Sequence, residues 1–304
     1  MWTSNDVLDT LRKVGELWEP RPGLVSLRGD ALELLHAIEG LLAALARSEG
    51  FPEWRLAPGL DLETLARARY FESFPQWLTA AGHLSGDTET LEAVARADDP
   101  AGAATRALEP AECALSPALC YHVYARLAGA TVQHTRMTAL GTCWRHEGER
   151  LRALERGWAF TMRELVVLGT PDEVDAFRRH GMGLGTALAV ALGLDGELVV
   201  ASDPFFAPTA RGRKLLQKVK SLKHELMLPL GDGRRIAAAS FNDHERFFGE
   251  AFDIRLTDGA SAASGCVAFG VERLLLAFLV AHGPHAAGWP AVESELSAPT
   301  RSAS

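Results

Sequence analysis

The chain has 304 residues, 47% of them hydrophobic, and its 39 acidic against 31 basic side chains leave a net charge of −8. So much apolar material excludes a chain disordered throughout, and no uncharged apolar run approaches the ~18 residues of a membrane span. The acidic balance disfavours a protein that gains affinity by neutralising a nucleic-acid backbone.

The first residues, MWTSNDVLDTLRKVGELWEP, carry an amphipathic helix pattern broken by Asp6, Asp9 and Glu16. No basic stretch leads into an apolar one, so no signal peptide is expected. Asp30 opens DALELLHAIEGLLAALARSEG, where Leu32, Leu35, Ile38, Leu41, Leu42 and Leu45 recur at helical spacing and Gly50 is the stop. A second helical stretch is expected over about 88–108, bounded by Asp98, Asp99 and Pro100. From about 117 onward short β-prone runs appear: Glu164–Gly169, Glu197–Ala201, Glu225–Leu230 and Ile236–Phe241. Between the first two lies a helix from Pro171 to Leu192, with Thr170 as its cap and acidic residues beside its positive end.

The core ends on GCVAFGVERLLLAFLVAHG, a β-like piece running through Gly270 into an apolar helix closed by Gly283. Helices around hairpin-linked strands, without regular βαβ alternation, predict an α+β fold with an antiparallel sheet. Residues 1–290 are expected to form one unit and 291–304 a flexible tail. The four cysteines (Cys113, Cys120, Cys143, Cys266) are scattered, which reads as reduced thiols in a cytoplasm.

Three segments carry candidate chemistry. TCWRHEGERLRALERGWAFTMREL, residues 142–165, puts Arg145 and Glu147 two apart, as a strand places side chains on one face. A charged loop follows, then Phe160 and Glu164. A guanidinium for phosphate, a carboxylate for an amino group and a ring for a base suit an adenine nucleotide. A surface hairpin laced with salt bridges is the other reading. In GCVAFGVERLLLAFL, residues 265–279, Glu272 and Arg273 interrupt an apolar run. A charge there is costly unless paired, so Arg273 is expected to face a pocket or a partner; an ion pair or a helix-surface arginine is the alternative. In LSPALCYHVYARL, residues 115–127, Cys120 reads as a small buried hydrophobe, and no CxxC or HExxH marks a metal.

WRHE at 144–147, WAFTMRELV at 158–166 and GVERLLLAF at 270–278 resemble, in order and spacing, motifs 2 and 3 of class II aminoacyl-tRNA synthetases, above all seryl-tRNA synthetase. Gly29 to Pro58 resembles motif 1, the long helix and strand that form the dimer interface of that class. The resemblance spans roughly residues 25–285. It implies Arg145 on the α-phosphate of ATP, Glu147 near adenine, Phe160 stacked on the base and Arg273 on the γ-phosphate. It also implies that Ser240 and Asn242, in SFNDHERFFGEAFDI, line the amino acid and nucleotide site, and that the protein is a homodimer.

The motif 1-like segment begins within about 25 residues of Met1, leaving no length for the tRNA-gripping arm of seryl-tRNA synthetases, so tRNA is not expected as a partner. An armless core of this kind resembles the bacterial amino acid:[carrier protein] ligases, whose active sites are similar to those of the atypical, zinc-containing seryl-tRNA synthetases. The implied activity is ATP-dependent activation of a small amino acid, glycine or alanine, and its transfer to the phosphopantetheine thiol of a carrier protein. The implied Zn²⁺ ligands are Cys120, Glu164 and Cys266, a chemically sensible set; Cys113 and Cys143 fall outside it. Where seryl-tRNA synthetases carry a glutamate for Mg²⁺ this chain has a residue near Ile236, which leaves Glu225, another carboxylate or ATP itself to hold that ion. RGRKLLQKVKSLK, residues 211–223, holds four of the five lysines and no acid; it reads as a solvated face or as a docking surface for an acidic carrier protein. A seryl-tRNA synthetase paralogue with another acceptor, or a non-catalytic amino acid or nucleotide sensor, are the alternatives.

Overall fold

The amino-terminal helix, α1 (Ser4–Val14), forms because its first turn closes on itself. The Thr3 side chain accepts the Asp6 N–H while Asp6 accepts the Thr3 N–H, and Gly15 ends the helix at φ 73°. A hairpin of β1 (Leu17–Arg21) and β2 (Leu24–Leu27) leads into α2 (Gly29–Ser48), which buries Ala31, Leu34, Ile38, Leu41, Leu42 and Leu45. Leu32 and Leu35, expected in that buried stripe, are only partly buried and border a large cavity, Leu35 packing on the core as well. The computed structural model describes residues 2–203 and 220–292. Most of the lysine-rich stretch and of the expected carboxy-terminal tail therefore lies outside the described residues.

After α2 the strand expected of a motif 1-like segment is reduced to a single parallel bridge, Glu53 to Thr138. Next come β3 (Gly59–Asp61), α3 (Leu62–Arg67), α4 (Tyr70–Ser73) and a single turn at Pro75–Trp77. β4 (Ala80–Ala81), α5 (Thr88–Arg96), α6 (Pro100–Arg106) and β5 (Cys113–Leu115) follow, and the strands form a small sheet in the order β3-β5-β4. The one helix expected over 88–108 is two, because Asp99 caps a fresh start at Pro100 by accepting the Gly102 N–H.

The central sheet comes from the second half of the chain. α7 (Cys120–Arg126) and β6 (Thr131–Val132) precede β7 (Thr135–Trp144), β8 (Ala159–Gly169), α8 (Pro171–Ala191) and β9 (Glu197–Val200). β10 (Lys223–Pro229), β11 (Arg235–Asp243), a short helix at Phe247–Phe252, β12 (Arg255–Leu256), β13 (Ala263–Gly270) and the C-terminal helix Val271–His282 complete it. Six strands pair in the order β7-β8-β13-β11-β10-β9, antiparallel throughout, so the fold is the α+β type with an antiparallel sheet.

Alternation along each strand gives the sheet two different faces. Leu165, Val267, Phe269 and Phe241 point into the core built with α1, α2, α8 and the C-terminal helix. The residues between them point the other way. Register aligns Glu164 with Ala268, Ser240 and Glu225 in one row, and Val166 with Cys266, Asn242 and Lys223 in the next.

Helix α8 lies close against the core face because two of its residues have no side chain. A Cβ on Gly181 would come within 2.5 Å of Val267 Cγ2, and one on Gly185 within 2.5 Å of Phe241 Cζ. Gly185→Val is therefore expected to cost about 1–3 kcal/mol by overpacking, seen as a lower midpoint in thermal unfolding followed by circular dichroism. An unchanged midpoint would show that α8 can lift off the sheet freely.

Candidate active site

The polar face of the sheet is the floor of a cavity of about 1750 Å³. At one end Glu164, on β8, reaches up to the start of α7. Its two carboxylate oxygens accept the N–H groups of Leu119 and Cys120 at 2.9 and 3.1 Å, supplying the cap that the helix lacks in its own sequence. That contact carries Cys120 to the floor, where Cys266 on β13 waits one row away. Cys120, Glu164 and Cys266 are all buried, and their ligand atoms lie within 4.8 Å of one another.

Three acidic groups share this buried corner and shift one another. Burial, reinforced by the neighbouring Cys266, pushes Glu164 up to about 7. The hydrogen bond from the Cys120 thiol draws Cys266 well below the ordinary thiol range against its burial, and the same bond together with burial drives Cys120 up. Two further groups face the Cys266 sulfur: Asn242 Nδ2 at 3.4 Å and His244 Nε2 at 3.9 Å. Two sulfurs on a tetrahedral zinc sit about 3.8 Å apart, and three protein donors leave one coordination position unfilled. The donor set fits that ion.

Further along the cavity are two arginines held in the same manner. Arg145 follows the end of β7; its Nε donates to Pro117 O at 2.9 Å, and its guanidinium lies 5.3 Å from the ring centres of both Trp77 and Phe160. Arg273 opens the C-terminal helix; its Nε donates to Glu155 O at 2.8 Å and its Nη1 to Ala237 O at 2.9 Å. Burial, with repulsion from Arg145 and Arg156, brings Arg273 down to about 10. Among the described residues neither has a carboxylate partner. Arg273 is thus neither an ion pair nor a helix-surface arginine. A half-buried guanidinium held, among the described residues, only by carbonyls is costly, and an anion in the cavity offsets that cost.

Every side chain singled out by the sequence borders this cavity: Cys120, Arg145, Glu147, Phe160, Glu164, Ser240, Asn242, Cys266 and Arg273. Glu147 accepts Arg156 Nη1 at 2.6 Å. Asn242 Nδ2 donates to Ser240 Oγ at 3.0 Å, so one amide links the Ser240 row to the Cys266 row. One local expectation fails. Arg145 and Glu147 do not share a strand face, because the ladder stops at Trp144: His146 N–H turns to Trp77 O, and Glu147 starts the turn Gly148–Arg150. Ile236, in the place of a magnesium ligand, is a buried apolar side chain, while Glu225 borders the cavity beside Lys223 at 3.1 Å.

Sequence reasoning missed Trp77, which faces the Arg145 guanidinium, and Glu155, whose carbonyl holds Arg273. It also missed Tyr124, whose Oη lies 3.2 Å from His244 Nδ1. Trp77 lies in no recognisable motif, and a carbonyl leaves no trace in residue type.

No family model matches the sequence. Amino acid–[acyl-carrier-protein] ligase 1 of Bradyrhizobium diazoefficiens is 36% identical over 265 residues, covering 85% of this chain and 81% of that protein. Ligase 2 of the same organism is 34% identical over 265 residues, covering 85% and 79%. The chain belongs to the amino acid–[acyl-carrier-protein] ligase family. Among solved structures, the M. kandleri seryl-tRNA synthetase in complex with A. aeolicus tRNASec matches this ligase with a TM-score of 0.84 at 25% identity. The match covers 94% of the ligase and 59% of the synthetase chain, giving the ligase a class II aminoacyl-tRNA synthetase core.

The placement of Arg145 generates a prediction. Trp77→Ala leaves its guanidinium one aromatic face instead of two, a loss of about 0.5–2 kcal/mol, or roughly 2–30-fold in kcat/KM of the ligase reaction, and Trp77→Phe restores most of it. Steady-state kinetics check this; equal rates for wild type and Trp77→Ala would remove Trp77 from the site.

Proposed function

We propose that this ligase activates a small amino acid, glycine or alanine, as the aminoacyl adenylate and passes it to the phosphopantetheine thiol of a carrier protein. The observation that supports the reading is that one cavity joins a buried Cys/Glu/Cys set to two guanidiniums that have no carboxylate partner among the described residues. A group that carries an amine at one end and a polyphosphate at the other is the ligand such a cavity suits.

In the first step a carboxylate oxygen of the amino acid attacks the α-phosphorus of ATP and pyrophosphate leaves. Arg145 offsets charge at the α-phosphate and Arg273 at the γ-phosphate, while Glu147 and Phe160 hold the adenine, and Ser240 with Asn242 orients the amino acid. In the second step the thiol sulfur attacks the acyl carbon and AMP leaves, forming the thioester. No protein nucleophile is required, so Cys143 and Cys113 stay outside the chemistry. Cys120, Glu164 and Cys266 would hold Zn²⁺, which when bound supplies a Lewis-acidic position for the neutral amine of the substrate. Tyr121 and Phe248 border the cavity. The Phe248 ring is 5.0 Å from that of His244, whose Nε2 lies 3.9 Å from the Cys266 sulfur, so aromatic groups crowd this end of the cavity and suit a short side chain. Residues 1–290 act as one catalytic unit, a cytoplasmic homodimer through the motif 1-like helix, with Mg²⁺ accompanying ATP and no tRNA.

Two measurements test this. ATP–pyrophosphate exchange on metal-replete protein, with glycine, alanine and serine offered separately, is expected with glycine or alanine. The preference between those two stays within the ~1–3 kcal/mol that one methyl group allows. No exchange with any of the three turns the reading to an amino acid or nucleotide sensor. Inductively coupled plasma mass spectrometry is expected to find about one zinc per chain, and Cys266→Ser is expected to lose most of it, since one thiolate of a three-donor set is gone. Metal content unchanged by that substitution would remove the trio from the metal site.

A further inference from the structure

We propose that Glu155 and Arg234 form a clamp that positions Arg273 for the distal phosphates of the nucleotide. The inference rests on the reading that Arg273 meets the γ-phosphate. Arg273 is held by two carbonyls from different parts of the chain, Glu155 O on the loop between β7 and β8 and Ala237 O on β11. Where its Nη2, unbonded among the described residues, points is therefore set by the spacing of that loop from that strand.

The loop is held partly by its own backbone and partly from outside. Residues 152–156 fold into a tight turn in which Arg156 N–H bonds Arg152 O at 2.8 Å and Glu155 N–H bonds Ala153 O at 2.7 Å. At its apex Leu154 is buried with φ at 57°, a left-handed conformation that a branched side chain adopts only under constraint from its surroundings. The surroundings that hold it are the core in which Leu154 packs and, one residue on, Arg234 in the connection between β10 and β11. Its Nη1 and Nη2 donate to the two oxygens of the buried Glu155 carboxylate at 2.9 and 3.3 Å. Arg234 is in turn fixed by Asp232, 2.7 Å from its Nε, and by Ser4 Oγ, 2.7 Å from its Nη2. Ser4 is wholly buried at the start of α1, and its own N–H bonds Leu230 O at 3.1 Å in the same connection.

One guanidinium thus ties α1, the β10–β11 connection and the strained turn together. The hairpin that carries Arg234 also carries Ala237, the other anchor of Arg273. A forked guanidinium on a carboxylate fixes both distance and angle, which a lysine ammonium cannot reproduce. Glu155 and Arg234 are positioning residues, acting on the nucleotide through Arg273.

The test compares ATP with AMP, which lacks the distal phosphates, in binding by isothermal titration calorimetry without amino acid. Wild type, Glu155→Gln, Arg234→Lys and Arg273→Ala are measured, with the Glu155→Gln/Arg273→Ala double variant. Glu155→Gln and Arg234→Lys are each expected to weaken ATP about 10-fold or more while AMP stays within about two-fold. In the Arg273→Ala background Glu155→Gln is expected to change ATP binding no further, because the clamp then has nothing to position. Equal weakening of ATP and AMP would show a merely structural role, and additive losses in the double variant would show that the clamp does not act through Arg273. Either overturns the proposal while leaving the ligase reading intact. If wild type binds ATP no more tightly than AMP, or Arg273→Ala does not affect ATP, the γ-phosphate role of Arg273 fails and the proposal falls with it. Should Arg234→Lys not fold, Ser4→Ala removes one support of Arg234 and is expected to shift the same ratio in the same direction; an unchanged ratio counts against the clamp.

Discussion

A carboxylate on a strand, Glu164, takes the first free N–H groups of α7, and the site is organised around that contact. Without it, α7 would begin with unsatisfied donors in a buried place, and Cys120 would have no reason to lie beside Cys266. The sheet supplies everything else at fixed intervals. Because the side-chain period is two residues, one register places Cys266 and Asn242 in a row adjacent to Glu164 and Ser240. A slip of one residue would send all of them into the apolar core that Phe241, Val267 and Phe269 occupy. Folding the core and assembling the site are the same event.

The two arginines show a second economy. Each is anchored through Nε on a backbone carbonyl, which directs the guanidinium without cancelling its charge. A carboxylate partner would hold it as firmly but would compete with any incoming anion. Of the carboxylates that do meet arginines near the cavity, Glu147 takes Arg156 within the loop between β7 and β8, while Glu155 takes Arg234 and so ties that loop to the β10–β11 connection. Burial raises the stakes at Arg273, whose charge is disfavoured further by the neighbouring Arg145 and Arg156.

Much of this was legible in the sequence, for identifiable reasons. Helix α8 announced itself through Thr170, Pro171 and Glu173, because capping is a local rule carried by residue type. The strands around Glu164, Glu225 and Cys266 were visible as short β-prone runs, and the order of the motifs named the side chains that the fold brings to one cavity. The sequence places Ile38, Leu41, Leu42 and Leu45 of α2 correctly in the core, but at the start of the helix two faces are apolar: Ala31 and Leu34 enter the core, and Leu32 and Leu35 border the cavity. A periodic pattern cannot tell a core from a lined pocket. Nor could sequence find Trp77 or the carbonyl of Glu155, since stacking across a distant segment and acceptance by a main-chain oxygen belong to the fold alone.

The pair of helices α5 and α6 buries none of its residues. The excursion that holds them leaves the small sheet after Ala81 and returns at Cys113, and these two are register partners across β4 and β5. Its two ends are thus fastened together whatever lies between them. Loop closure costs little more for a long excursion than for a short one, and no core contact depends on these helices. This stretch is therefore the part of the molecule freest to vary in length and composition among relatives, and the natural place to insert a tag or reporter without disturbing the cavity.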